Sequence, residues 1–391
     1  MIGFCVRVSM LLKTSRMAEV LILCLVGVFV MVPLESVLGK DPLVFITSFA
    51  KGEAGAIHAM RLDAKRGMLT EVNSTTDVEN PFFIALSPDR KYLYSIHALK
   101  FGGPEHSEVA AYSIEDSAGK LRLLNRQTTL GTTACYIDVG AKGRSVVVAN
   151  YSSGSVVSYP VQGDGSLREA ATFVQHEGMS VNEARQQEPH AHCFVISPDN
   201  RYAFSADLGI DEIIGYKLKS RTSELQRLDG ATETAPGAGP RHLIFHPNGK
   251  YVYVINELLN TVSLFDYDAE TGKLSKRQTI ATLPSDFEGV SHTADLKITP
   301  DGKYLYGTNR GHDSIACYRL SADGSLTLLE IVPSLGKGPQ NLAIACGGKL
   351  LICANMPGNN VAVFRIDGTS GKITSVGAPL EVTSPSCILI R

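Results

Sequence analysis

Six times along the chain a tight polar turn is followed by a short aromatic or β-branched run: SPDRKYLYSI, GAKGRSVVVAN, SPDNRYAFSAD, HPNGKYVYVINE, TPDGKYLYGTNR and CGGKLLICAN. The turns begin at Ser87, Gly140, Ser197, His246, Thr299 and Cys346, so the unit recurs about every 50 residues. A unit of short strands cannot cover both of its faces alone, and radial stacking of identical units is what buries them. The repeat therefore predicts an all-β propeller. Each unit reads as a polar lead, an apolar strand, the turn, a second strand ending in a polar pair, and a third strand such as TVSLFDYD or NNVAVFRI. A glycine hairpin, DGSL, TGKL or SGKI, then opens a fourth strand.

Six leads are complete, at 80–86, 132–139, 189–196, 239–245, 291–298 and 338–345. LVFITSFAKGEAGAIHAMRLDAKRGMLTEV, near the start, supplies three strands without an inner one, and the terminal SPSCILI supplies an inner strand without followers. Joined, they make a seventh four-stranded blade, and pairing the two termini closes the ring and removes a free sheet edge. We expect residues 40–391 to form a single domain.

Residues 1–39 read differently. Arg7, Lys13 and Arg16 precede an apolar block from Val20 to Val32, then Pro33 and a small-residue exit at Val37, Leu38 and Gly39. That is the layout of an export signal, and the block is too short for a comfortable membrane span. We expect an exported protein with no membrane attachment after cleavage. Losing the leader's three basic and two acidic residues takes the net charge from −2 to −3, so nothing points to nucleic acid or an anionic membrane as partner. A small molecule is the expected partner. The six remaining cysteines, Cys135, Cys193, Cys317, Cys346, Cys353 and Cys387, lack zinc-like spacing and mostly sit inside apolar strand patterns, as buried thiols do.

In a propeller the segments entering the inner strand and leaving the second gather at one mouth of the axial channel, and function resides in such departures from the scaffold. The leads read Pro189-His190-Ala191-His192, Pro240-Arg241-His242, His292-Thr293-Ala294-Asp295 and Pro339-Gln340-Asn341. The exits read Asn150-Tyr151, Ala206-Asp207, Asn256-Glu257, Asn309-Arg310 and Ala354-Asn355. Taken singly, a His before a strand or an Asn after one is a common turn hydrogen-bonder. Their convergence on equivalent positions is what marks a site. Residues 176–192, HEGMSVNEARQQEPHAH, form a long polar connection into the His190/His192 strand, and such connections tend to be functional. The loop at 100–108 is a second candidate.

At these residues the chain resembles the lactonase family of seven-bladed propellers, which includes the bacterial propeller-type 6-phosphogluconolactonases and the fungal carboxy-cis,cis-muconate cyclases. The matching segments are ANYSSGSV, HEGMSVNEARQQEPHAH, GPRHLIFHPNGKYVYVINEL, TADLKITPDGKYLYGTNRGHDSIA and SPSCILI. For the muconate enzymes a His, two Arg and a Glu have been proposed as the active constellation. The resemblance puts these at His190 or His192, Arg241, Glu257 and Arg310. The chain departs from the family at Gln340, where relatives often carry Arg, and at Met179, where a small residue is commoner.

Lactone hydrolysis needs a water nucleophile, a base and donors for the oxyanion. We assign Glu257 as base, Arg241 and Arg310 to the anion, and a hydrogen-bonding role to His192, with His190 the other histidine of the pair. His242, Asp207, Asn256, Asn309, Asn150, Gln340 and Asn355 are further substrate-binding candidates. No G-x-S-x-G nucleophile elbow is present. His190, His192, Asp207 and Glu257 would be the ligands of any metal, but H-x-H alone defines no ligand set, so neither metal nor cofactor is expected. Cycloisomerisation of a carboxymuconate and a non-catalytic binding propeller are the competing functions.

Overall fold

The alternation that defines each repeat unit becomes a radial sheet. The computed structural model describes residues 41–76, 78–98 and 103–391, so the export-signal reading lies outside the described residues, as does part of the 100–108 loop. Pro42–Arg391 form one compact unit of seven antiparallel sheets. The first six blades open with inner strands Pro81–Leu86, Ala134–Val139, Ala191–Ile196, Pro240–Phe245, His292–Ile298 and Pro339–Ala345. Each inner strand pairs with the strand that follows it, and two more strands complete the blade. In the third and sixth blades the outer strand is split into two pieces that pair with the same neighbour.

The seventh blade joins the ends of the described chain. Its inner strand, Pro385–Ile390, pairs antiparallel with Leu43–Ser48, bringing Ile46 opposite Ile388 and Phe45 opposite Leu389. Thr47 Oγ1 and Ser386 Oγ lie 2.8 Å apart across the seam. Second strands such as Ser145–Asn150 are buried along their whole length, whereas fourth strands such as Leu274–Ala281 expose most positions. Burial thus falls from axis to rim. One apolar cluster runs from Phe45 of the seventh blade through Val109 and Val147 to Tyr216 of the third, so blade faces are buried against each other.

The recurring Lys-Tyr-x-Tyr is a latch between blades. The hydroxyls of Tyr94, Tyr253 and Tyr306 donate to the carbonyls of Gly165, Gly324 and Gly371 in the outer hairpin of the next blade, at 3.0, 2.6 and 2.9 Å. The first tyrosine of each motif lies against the same glycine. A Cβ at Gly165, Gly324 or Gly371 would come within 2.2, 2.7 or 2.1 Å of the ring of Tyr92, Tyr251 or Tyr304. These glycines also hold φ of +86°, +83° and +77°, a region that L side chains rarely adopt. The hairpin glycine and the tyrosine pair are therefore one device seen in two blades.

Cys135, Cys193, Cys317, Cys353 and Cys387 carry free, buried thiols, and Cys346 is half-buried. Among the described residues no helix is long and apolar enough to cross a membrane.

Candidate active site

Near one mouth of the channel the inner strands of the first six blades slip register against their neighbours, at Pro81/Phe83, Ala134/Tyr136, Ala191/Cys193, Pro240/His242, Thr293/Leu296 and Pro339/Asn341. A bulge leaves a residue unpaired and re-aims its side chain. The residues skipped include Phe82, Cys135, His192, Arg241 and Gln340, and all five line a cavity of about 910 Å³. A layer beneath it contains Phe83, Tyr136, His242, Asp295 and Asn341. Tyr136 stacks on Phe83 at 4.6 Å and meets His242 edge-on at 4.9 Å.

Glu257 lines the cavity. It directly follows the strand Tyr251–Asn256, and its N–H donates to Gly239 O at 2.7 Å, which fixes where the side chain leaves the backbone. Three guanidinium groups converge on its carboxylate. Arg241 Nε and Arg310 Nη2 donate to Oε2 at 2.9 and 2.7 Å, and Arg185 Nη2 donates to Oε1 at 2.8 Å. His192 Nε2 lies 3.9 Å from Oε2, beyond hydrogen-bonding distance. Burial by itself would raise the Glu257 pKa, but the guanidinium groups of Arg310, Arg241 and Arg185 outweigh it and hold the carboxyl well below the ordinary range. Three cations against one anion leave the cavity with excess positive charge.

The three arginines are held with unequal firmness. Arg241 is fully buried: its Nη1 donates to Ala294 O at 2.5 Å and to His242 Nε2 at 3.0 Å. Since arginine only donates, His242 Nε2 accepts, and Nδ1–H donates to Asp295 Oδ1 at 2.9 Å. Asp295 Oδ2 in turn takes Lys297 Nζ at 2.6 Å, Asn341 Nδ2 at 2.8 Å and Leu342 N at 2.9 Å. Burial and then Arg241 push His242 down to about 3, so this imidazole is neutral. Burial and then Arg310 lower Arg241 to about 10. Arg310 is tied to Thr293 O at 3.0 Å and His292 O at 3.3 Å. Among the described residues Arg185 has one other partner, the Tyr151 hydroxyl at 3.2 Å.

The family model "Lactonase, 7-bladed beta-propeller" matches residues 43–390. The chain belongs to this lactonase family. It is 34% identical over 345 residues to the 6-phosphogluconolactonase of Bacillus subtilis (strain 168), covering 88% of this chain and 97% of that one. Its fold superimposes on the periplasmic gluconolactonase of Pseudomonas aeruginosa with a TM-score of 0.84 at 29% identity, over 89% of this lactonase and 98% of the other chain. A putative 6-phosphogluconolactonase of Bacteroides fragilis gives 0.82 at 31% identity, over 90% and 99%.

Of the residues singled out in the sequence of this lactonase, Glu257, Arg241, Arg310, His192 and Gln340 line the cavity. His190 does not. The register slip at Ala191/Cys193 breaks the two-residue alternation, turning His192 into the cavity while His190 stacks on Tyr151 at 4.5 Å. His242 lies beneath the cavity, as Arg241's support. Asp207 is a fastener of the 176–190 loop: His176 Nδ1 lies 2.6 Å from Oδ2, while the N–H groups of His190 and Gly209 donate to Oδ1 at 2.6 and 3.0 Å. The four asparagines belong to the scaffold. Asn150, Asn256, Asn309 and Asn355 each spend the amide Nδ2 on the third strand of their own blade, at Ser155, Thr261, Ser314 and Asn360. The same tie recurs in these four blades. Met179 is exposed on the loop and is not part of the cavity wall. Among the described residues no group of three or more His, Cys, Asp or Glu is arranged to hold a metal.

The sequence reading passed over Arg185, His292 and Tyr151, all of which line the cavity. Tyr151 and His292 stand in the exits and leads themselves, so comparison of blades contained their signal. Arg185 lies inside the long loop with no repeat position to mark it.

Proposed function

We propose that this lactonase hydrolyses an anionic sugar-derived lactone, of the kind 6-phosphogluconolactone exemplifies, with Glu257 as the base. The observation that carries this reading is the convergence of three guanidinium groups on one carboxylate inside a cavity large enough for a sugar-sized ligand. Guanidinium forks suit a phosphate or carboxylate and an oxyanion alike. Arg310 and Arg185 would hold the substrate's anionic group, and the inward face of Arg241 would stabilise the oxyanion that forms at the ring carbonyl. Glu257 takes a proton from water as its oxygen attacks that carbon, then returns the proton to the ring oxygen as the C–O bond breaks. His192, neutral because burial and then Arg241 hold it well below its ordinary pKa, serves as a hydrogen-bonding wall. Among the described residues the Gln340 side chain has no hydrogen-bond partner, and its place in the cavity lining suits it to a sugar hydroxyl.

The protein is proposed to work after export. The basic-then-apolar layout of residues 1–39 supports this, as does the likeness to a periplasmic gluconolactonase. An exported enzyme would meet carboxylated or unphosphorylated aldonolactones as readily as phosphorylated ones.

The test is ring opening followed by proton release, with the buffer rate subtracted, on 6-phosphogluconolactone and gluconolactone. Acceleration of at least one is expected, and Glu257→Gln should lower kcat by about 100-fold or more. Because that change leaves three cations without their anion, activity is referred to the folded fraction. A Glu257→Gln variant within threefold of wild type would remove Glu257 as base. Conversion of a carboxymuconate with neither lactone opened would favour the cycloisomerase.

A further inference from the structure

A carboxylate ringed by three guanidinium groups is a poor proton acceptor, because each cation favours its ionised form. The partners of Glu257 are not equivalent, however. Oε2 receives Arg241 and Arg310, both pinned to backbone carbonyls, and Arg241 is further pinned by His242. Among the described residues Oε1 receives Arg185 alone. The Arg185 side chain is 33% exposed, and its two contacts both use Nη2. Nε and Nη1 make no hydrogen bond within the described chain, and the residue lines the cavity.

The loop that carries Arg185 is nonetheless firmly fastened. Ser180 Oγ donates to Asp211 Oδ2 at 2.5 Å, buried Gln186 donates to Leu208 O at 2.8 Å, and Asp207 holds both loop ends. Motion of the guanidinium is thus motion of a long side chain on a fixed base.

We propose that Arg185 is an exchangeable partner, drawn from Glu257 Oε1 onto the anionic group of the bound lactone, so that binding an anion frees Oε1 to deprotonate the attacking water. The inference rests on the lactonase reading above and names a specificity-determining residue for it. A phosphate or carboxylate remote from the ring carbonyl competes for Arg185 with a fresh bidentate contact, whereas a neutral lactone leaves the pair intact. The other groups facing Glu257 stay in place: Arg241 and His192 from inner strands, Arg310 from a second strand, His292 at the head of the fifth blade, and Tyr151. Burial opposes the Arg185 charge, but Glu257 and Tyr151 hold it charged throughout. The exchange therefore moves a cation and no proton. The chemical step stays balanced: water's O–H breaks, C–O forms, the ring C–O breaks, and the proton passes through Oε1 to the leaving alkoxide.

Arg185→Gln and Arg185→Lys are assayed on 6-phosphogluconolactone and neutral gluconolactone from pH 4.5 to 8, with kcat and kcat/KM resolved. Arg185→Gln should lower the anionic-to-neutral ratio of kcat/KM by roughly tenfold to a hundredfold, the worth of one charged hydrogen-bonded contact. It should open the neutral lactone faster, because Oε1 then has no competing cation. In wild type the acid limb of kcat should lie at higher pH for the anionic lactone than for the neutral one, and in Arg185→Gln the two limbs should coincide. Arg185→Lys should recover part of the ratio. Equal loss on both lactones overturns the proposal, as do wild-type limbs that already coincide. A wild type that opens neither lactone sinks the substrate reading itself, and the exchange falls with it.

Discussion

Asp295 shows how much of the site is held from below. Its buried carboxylate takes four donors, from His242, Lys297, Asn341 and Leu342, and is the reason the His242 lone pair faces Arg241. Burial works against this charge, but Lys297 and then His242 hold its pKa below the ordinary carboxylate value. Asp295→Asn keeps the shape while removing the charge and setting an amide N–H among donors. Breaking one partner of a buried ionic pair costs about 3–5 kcal/mol, and urea denaturation should show a loss of that order. A loss under about 1 kcal/mol would mean that the network contributes little beyond packing.

At the scale of the element, the repeat owes its regularity to contacts between blades. The Tyr-x-Tyr pair of one blade and the hairpin glycine of the next are complementary, so each depends on the other's sequence. Tyr253→Phe leaves the buried Gly324 carbonyl without its donor and should cost roughly 1–2 kcal/mol. Gly324→Ala should cost more, above about 2 kcal/mol, because it adds left-handed backbone strain to contact with Tyr251. Denaturant midpoints check both. Neither residue lines the cavity, so kcat at 25 °C should stay at the wild-type value, and a changed kcat would show that blade packing tunes the site.

For the whole molecule, buried neutral histidines make stability depend on pH. Burial holds His97 at about 4 and His242 at about 3, and holds His192 well below its ordinary value. Unfolded, each titrates near 6.5. Below that value the unfolded chain binds more protons than the native one, so stability falls with pH, by up to about 1.4 kcal/mol per unit for each histidine. Glu257 and Asp295, whose folded values are depressed, stabilise above the unfolded carboxylate range and lose that contribution progressively as pH falls from that range to their folded values. Calorimetry suits a chain without tryptophan. Tm should decline steadily from pH 7 to 5, and a flat profile would contradict neutral burial of these rings.

The propeller, its seven blades, the closure by terminal strands and the Arg241, Glu257 and Arg310 cluster were legible in the chain alone. These rest on local alternation and on departures from a repeat, which neighbouring residues encode. Tertiary structure alone decided that His192 rather than His190 enters the cavity, because a bulge overrides two-residue alternation. It decided that Arg185, 72 residues before Glu257, completes the cluster, and that His242 meets Asp295 across 53 residues. It also turned Asn150, Asn256, Asn309 and Asn355 from site candidates into blade ties. A side chain's hydrogen-bond partners in a ring come mostly from other strands and blades, and no spacing along the chain specifies which donor a carboxylate will meet across the axis.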